Sequence, residues 1–262
     1  MKSAIHDEVC ASLQLMRVVG FPLPPASKEK ILDATMEQKK VLVVGGSSGI
    51  GLAVANLAQQ KGAHVIVASR RASERVKSLP QPLNVLEAVS FDITSATDHE
   101  PLFETIGTID HLIIAVRPEI HPAPFQSTDI DEAKRAFETK FWGPYRLVQM
   151  AYRHMNETGC IILTSGIAGE KVYSGASTMA LINSATESLC RVLAVELSPL
   201  RVNCVSPGFV EPKPSPVQEY ARQFPMKRLA ALEEIASAYL WLMANPYVTG
   251  NVMVVDGGAR LI

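Results

Sequence analysis

Between Val41 and Gln60 a short β-branched run gives way to Gly45-Gly46-Ser47-Ser48-Gly49-Ile50-Gly51 and then to a helical apolar pattern. Glycines at these spacings let the backbone turn through conformations closed to other residues and let a ligand approach the main chain closely. A helix starting near Gly49 aims its unpaired N–H groups and the positive end of its dipole at whatever lies in front of the loop, which suits phosphate. Taken alone, such a loop is only a glycine-rich turn. Its place between a strand and a helix is the context in which it binds a nucleotide.

The rest of the chain repeats the alternation. Strands are expected at Val41–Gly45, His64–Ala68, Asn84–Phe91, Asp110–Ala115, Cys160–Thr164, Arg201–Val205 and Asn251–Val255, with long helical segments at Asp131–Met155 and Ser177–Leu197. Alternation of this kind builds a parallel sheet covered by helices on both faces. The expected fold is therefore α/β, a doubly wound parallel sheet of Rossmann type in three α/β/α layers, as a single domain over residues 36–262. In such a sheet a ligand sits at the carboxyl ends of the strands, where the strand order reverses.

Composition removes several alternatives. A formal net charge of -1 leaves no electrostatic footprint for nucleic acid or an acidic membrane surface. No run approaches the ~18 apolar residues of a membrane span. Cys10, Cys160, Cys190 and Cys204 are too dispersed for a zinc site or a disulfide framework. They read as buried apolar side chains in a reducing, cytoplasmic setting, and no metal is expected. Residues 1–35 form an N-terminal extension with two open readings. In one, Ile5, Val9, Leu13 and Met16 mark a short amphipathic helix ended by the Pro22–Pro25 segment. In the other, the extension is disordered and Met36 is the true start.

Gly45, Gly49 and Gly51 give Gly-x-x-x-Gly-x-Gly, a spacing that resembles the short-chain dehydrogenase/reductase family. Asp92, the segment Arg201-Val202-Asn203-Cys204-Val205-Ser206-Pro207-Gly208, and Thr249-Gly250 with Asp256-Gly257-Gly258 are similar to family landmarks in the same order. The resemblance covers about Lys39 to Ile262. It implies a dinucleotide cofactor held by Gly45, Ser47, Ser48, Gly49, Ile50 and Gly51, with Asp92 and Ile93 on the adenine side and Pro207 and Gly208 after the sixth strand. The end of the second strand selects the cofactor. An acid there would accept hydrogen bonds from the ribose hydroxyls and repel a 2′-phosphate. This chain has Ser69, followed by Arg70 and Arg71, whose charges suit that phosphate. NADP(H) is the expected cofactor.

The chemical half of the family pattern is broken. Family reductases use a Tyr-x-x-x-Lys pair, a serine on the fifth strand and often an asparagine on the preceding helix. The tyrosine passes a proton to the carbonyl oxygen as hydride arrives. Aligned through Glu187-Ser188-Leu189 and Leu193–Leu197, the tyrosine position holds Met179 and the lysine position Asn183. Lys140 stands at the asparagine position and Pro212 at that of a threonine; Ile114-Ala115-Val116-Arg117 replaces Asn-Asn-Ala-Gly. The strand-five serine is Ser165 or, in strict register, Gly166.

Ser165, Lys140 and Tyr173 are the candidate catalytic replacements. Ser165 either hydrogen-bonds a substrate oxygen or nitrogen, or caps its strand end. Lys140 either reaches the nicotinamide ribose or acts as an acid, or it packs its stem beside Phe141 and Trp142 with its head in water. Tyr173 swings in as a proton donor, or stays a partly buried loop residue. Arg117 anchors an acidic substrate or the phosphates, or lies on the surface.

Three functions are compatible with this pattern. The first is an NADP(H)-dependent oxidoreductase reducing a small carbonyl- or imine-type substrate at an atypical site. A cationic iminium would tolerate the missing tyrosine, because it needs no proton on the heteroatom. The second is a non-catalytic NADP(H)-binding protein, and the third a non-redox isomerase or cyclase whose binding geometry carries the rate. The first is preferred, since the nucleotide loop and Arg70 are intact. The resemblance also implies a homodimer or homotetramer through the helices that carry Phe137, Phe141, Trp142, Tyr145, Met179, Leu181, Ile182 and Leu189. A small molecule is the expected partner, with no nucleic acid and no membrane.

Overall fold

A computed structural model describes residues 36–80 and 86–262. The N-terminal extension with its expected helix lies outside the described residues, as do Asn84 and Val85 of the expected third strand. Strands β1 (Lys40–Val44), β2 (His64–Ser69), β3 (Glu87–Ser90), β4 (Ile109–Ile114), β5 (Met155–Thr164), β6 (Arg201–Pro207) and β7 (Val252–Val255) form one sheet. Their order is β3-β2-β1-β4-β5-β6-β7, and every neighbouring pair is parallel. Helices α1 (Gly49–Gln60), α2 (Ala72–Lys77), α3 (His99–Ile106), α4 (Ile130–Phe137), α5 (Gly143–Ala151), α6 (Ser177–Glu196), α7 (Ser215–Ala221) and α8 (Leu232–Ala244) connect them.

Side chains alternate across a strand, and β1 shows what that does to the core. Val41 and Val43 enter one apolar layer with Val54 and Ala58 of α1 and Ile235 and Tyr239 of α8. Leu42 and Val44 enter the other with Phe103 of α3, Leu147 of α5 and Leu189 of α6. A strand covered on both faces has no polar side, which is why the central strands read as continuous apolar runs.

The expected helix Asp131–Met155 is corrected in two ways. It is broken into α4, a π-helical stretch Glu138–Trp142 and α5, followed by a 3-10 turn at Tyr152–His154. Met155 itself belongs to β5, paired with Ile109. The register then shifts, so that His111 pairs with Cys160. Gly159 makes that shift sterically feasible, because a Cβ there would lie 2.3 Å from the Asp110 carbonyl oxygen.

Candidate active site

The strand order reverses between β1 and β4, and the loops leaving their carboxyl ends part there. A cleft of about 1900 Å³ opens at this place. Ordinary small-ligand pockets hold roughly 300–1,000 Å³, so the cleft has room for a dinucleotide and a second molecule.

The glycine-loop end of the cleft is built from main chain. Gly45 has φ +82°, and a Cβ on it would lie 2.6 Å from the Ala115 carbonyl oxygen, where the two loops meet. A Cβ on Gly51 would lie 2.4 Å from the Gly45 carbonyl oxygen, so α1 packs directly on its own loop. Gly49 differs: it has φ +53° and nothing within 4 Å of its missing Cβ. Ser48 begins α1 without a side-chain cap, which leaves the first-turn N–H groups to a ligand. An uncapped helix start beside an open glycine cradle fits the phosphates of a dinucleotide.

The adjoining cleft wall rests on β2 and β3. Ser69 and the buried Ser47 share a hydrogen bond of 2.8 Å between their hydroxyls, tying the strand to the glycine loop. Arg70 and Arg71 are exposed on the cleft wall with Arg75 beside them. Arg70 approaches Glu119 at 3.8 Å, but both side chains are largely solvated, so the pair contributes little and leaves the guanidinium available to a phosphate. Asp92 lines the cleft with one carboxyl oxygen fixed by the Thr94 amide at 3.0 Å and hydroxyl at 2.8 Å. Ile93, Pro207 and Gly208 also line the cleft.

The other end of the cleft is built from side chains. Lys140 sits in the π-helical stretch between α4 and α5, lines the cleft, and is buried at 8% exposure. Its head is not in water. The ammonium donates to the carbonyl oxygen of Ser165 and to Oδ1 of Asn183, each at 2.9 Å. Burial pushes its pKa down to about 8, with the Arg117 charge acting in the same direction. An ammonium has three N–H donors; among the described residues the third has no acceptor. A helix that widens to π geometry often marks a functional position.

Asn183 and Met179 stand one turn apart on α6, and both face the cleft. Gly166 leaves room for Asn183, whose Nδ2 would lie 3.1 Å from a Cβ at that position. The buried Ser165 gives its hydroxyl proton to Glu187 Oε1 at 2.8 Å. A hydroxyl has one proton, so this serine has none left for a substrate in this arrangement. Tyr173 borders the cleft edge-on to Phe209, with ring centroids 5.8 Å apart. Its hydroxyl is buried without a partner, and burial pushes its pKa up to about 12. Arg117 and Pro212 line the same end. The structure thus joins Lys140 to Ser165 through the serine's carbonyl and leaves Tyr173 in a separate aromatic group with Phe209, Tyr220 and Phe224.

Two residues here were not singled out from sequence. Arg75 was findable, because it lies four residues after Arg71 and so shares a helix face with it. Glu187 was not, because a glutamate in a helix reads as solvated until the packing buries it. Among the described residues no His, Cys, Asp or Glu cluster has metal-holding geometry, and no helix is long and apolar enough to cross a membrane. Cys160, Cys190 and Cys204 are free and buried.

A doubly wound parallel sheet with a glycine cradle at its reversal point defines a dinucleotide-binding class of protein. The enoyl-(acyl carrier protein) reductase family profile matches residues 44–260. The human 3-oxoacyl-[acyl-carrier-protein] reductase is 31% identical over 236 residues, covering 86% of this chain and 99% of that protein. A small-chain dehydrogenase solved in complex with NADPH is 32% identical with a TM-score of 0.74, covering 86% of this chain and 100% of its own. The MalC reductase/Diels-Alderase of Malbranchea aurantiaca is 27% identical with a TM-score of 0.79, covering 88% of this chain and 99% of its own. The chain belongs to the short-chain dehydrogenase/reductase family of oxidoreductases. Yet none of its six tyrosines is followed four residues later by lysine.

Proposed function

We propose that the chain binds NADP(H) and reduces a small carbonyl- or imine-type substrate at a site where Met179 and Asn183 replace the tyrosine and lysine of the usual pair. The observation that carries this reading is the Lys140 ammonium at the cleft floor, held by two neutral oxygens with one N–H unused. The cofactor, when bound, supplies hydride. Gly45, Ser47, Ser48, Gly49, Ile50 and Gly51 hold its phosphates, Asp92 and Ile93 border the adenine, and Ser69, Arg70 and Arg71 favour the 2′-phosphate.

Lys140 places its free N–H toward the substrate oxygen or nitrogen, where negative charge develops as hydride arrives. Proton transfer breaks that N–H bond and forms O–H or N–H on the product, and solvent then restores the ammonium. A group with a pKa near the working pH serves well in this role. Asn183 and the Ser165 carbonyl fix the ammonium's direction. Met179 contributes an apolar wall and no proton.

Titrating the protein with NADPH and with NADH by fluorescence, beside Arg70→Glu, tests the cofactor. Tighter NADPH binding that the variant loses is expected; no binding of either nucleotide sinks the reading. Turnover is then sought as loss of NADPH absorbance with imines, ketones and enones. A second reading, a ring-closing or isomerising reaction without redox change, is favoured by the absent Tyr-x-x-x-Lys and by the relative named reductase/Diels-Alderase. Product forming while NADPH absorbance stays constant would select it. Half-exposed Trp142 and Tyr145 and exposed Leu181 support pairing of two or four copies, checked by light scattering.

A further inference from the structure

Behind the cleft floor lies a buried acid that the reaction described above does not use. Glu187 on α6 is only 6% exposed and belongs to none of the ion pairs among the described residues. Its Oε1 accepts the Ser165 hydroxyl at 2.8 Å, and the carbonyl oxygen of that same serine accepts the Lys140 ammonium at 2.9 Å. One residue therefore links a buried acid to a buried base. A charge taken out of water is costly unless an opposite charge or several hydrogen bonds compensate it. Lys140 has only two neutral acceptors.

Other charges near Lys140 do not supply the compensation. Arg117, from the loop after β4, opposes the ammonium. Cys204 on β6 is a buried thiol whose pKa is pushed up to about 11, so it is neutral at physiological pH. Glu138, on the π-helical stretch itself, is already bound to Arg146. Glu187 is the remaining acid acting on Lys140.

We infer that Glu187 is a positioning residue that keeps Lys140 protonated through Ser165, so that a charged N–H is presented to the bound substrate. This rests on the reductase reading given above. Glu187 touches no reacting atom; it acts on the population of the ammonium form.

The test is a pH titration of the full-length protein carrying ¹³Cε-labelled lysine, with the Lys140 resonance identified by its loss in Lys140→Met. In the unaltered protein its midpoint is expected near pH 8. In Glu187→Gln, which keeps an oxygen for the Ser165 hydroxyl but removes the charge, the midpoint should fall below that of the unaltered protein. The ammonium fraction above the midpoint falls with it, and the pH profile of turnover should move in the same direction. An unchanged midpoint overturns the proposal, whatever the effect on activity.

If Glu187→Gln folds poorly, Lys140→Met/Glu187→Gln should be more stable to heat than Glu187→Gln alone, because both buried charges are then gone. Strictly additive losses would also overturn the proposal. Failure of the unaltered protein to bind NADPH would defeat the reductase reading while leaving the lysine titration to stand or fall separately.

Discussion

At the glycine-loop end of the cleft Gly45, Gly49 and Gly51 act through what they lack: two of them leave no space for a Cβ, and the third has open space around it. At the other end Lys140, Asn183, Ser165 and Glu187 act through what they donate and accept. The first end depends on backbone path, so any residue with a side chain disturbs it. The second depends on which polar atoms meet, so different residues can occupy the same space and give different chemistry. The chain matches its family's glycine spacing at the first end, while no tyrosine in it is followed four residues later by lysine.

Gly51→Val should have the largest effect. Its branched side chain would run into the Gly45 carbonyl, where even a Cβ lies 2.4 Å away. More than about hundredfold weaker NADPH binding is expected, with a clear loss of thermal stability in circular dichroism, since backbone must shift. Normal binding in this variant would break the claim that the cradle depends on backbone approach. Lys140→Met should come next, lowering kcat by roughly 10²–10⁴-fold, as expected for a lost proton donor. NADPH affinity should change far less. Equal losses in both would place Lys140 with the cofactor rather than with the substrate.

Lys140 also gives a pH signature in stability. Its pKa is about 8 in the folded protein against 10.5 unfolded, so between these values the unfolded chain binds more protons and stability rises with pH. The unaltered protein should gain up to about 3 kcal/mol across that window relative to Lys140→Met, measured by urea unfolding at each pH. A flat difference would mean that the lysine is not buried in solution.

Arg70→Glu should weaken NADPH binding by roughly 10–100-fold and NADH binding by only about threefold, because a charge-assisted bond to the 2′-phosphate is lost. Equal losses would show that the arginine serves the shared part of the cofactor. The smallest effect is expected at Tyr173, whose hydroxyl has no partner. Tyr173→Phe should leave turnover within about twofold and keep or raise the melting temperature, since it removes an unsatisfied buried group. A large loss of kcat would instead make Tyr173 the proton donor.

Much of the architecture could be read from residue order alone. A β-branched run, a Gly-x-x-x-Gly-x-Gly loop and an apolar helix each depend on neighbours a few residues apart, and together they point to the parallel sheet, its crevice and the glycine loop at its mouth. Local pattern was less reliable where long-range pairing competed with it. Met155 has helical neighbours in sequence but lies beside Ile109 in the sheet. The side-chain end of the cleft was legible only as a set of departures from the family pattern. Lys140, Ser165 and Asn183 could be named singly, yet their separations of 25 and 43 residues hide the hydrogen bonds that join them.

The sequence by itself determined the fold class, the glycine cradle and the serine-arginine end of β2, because these follow from local backbone freedom, apolar periodicity and charge. Only the tertiary structure decided that the Lys140 head is buried, that the Ser165 proton is taken by Glu187, and that Tyr173 packs with Phe209. Burial and hydrogen-bond partnership are properties of segments brought together from distant parts of the chain, and no local pattern encodes them.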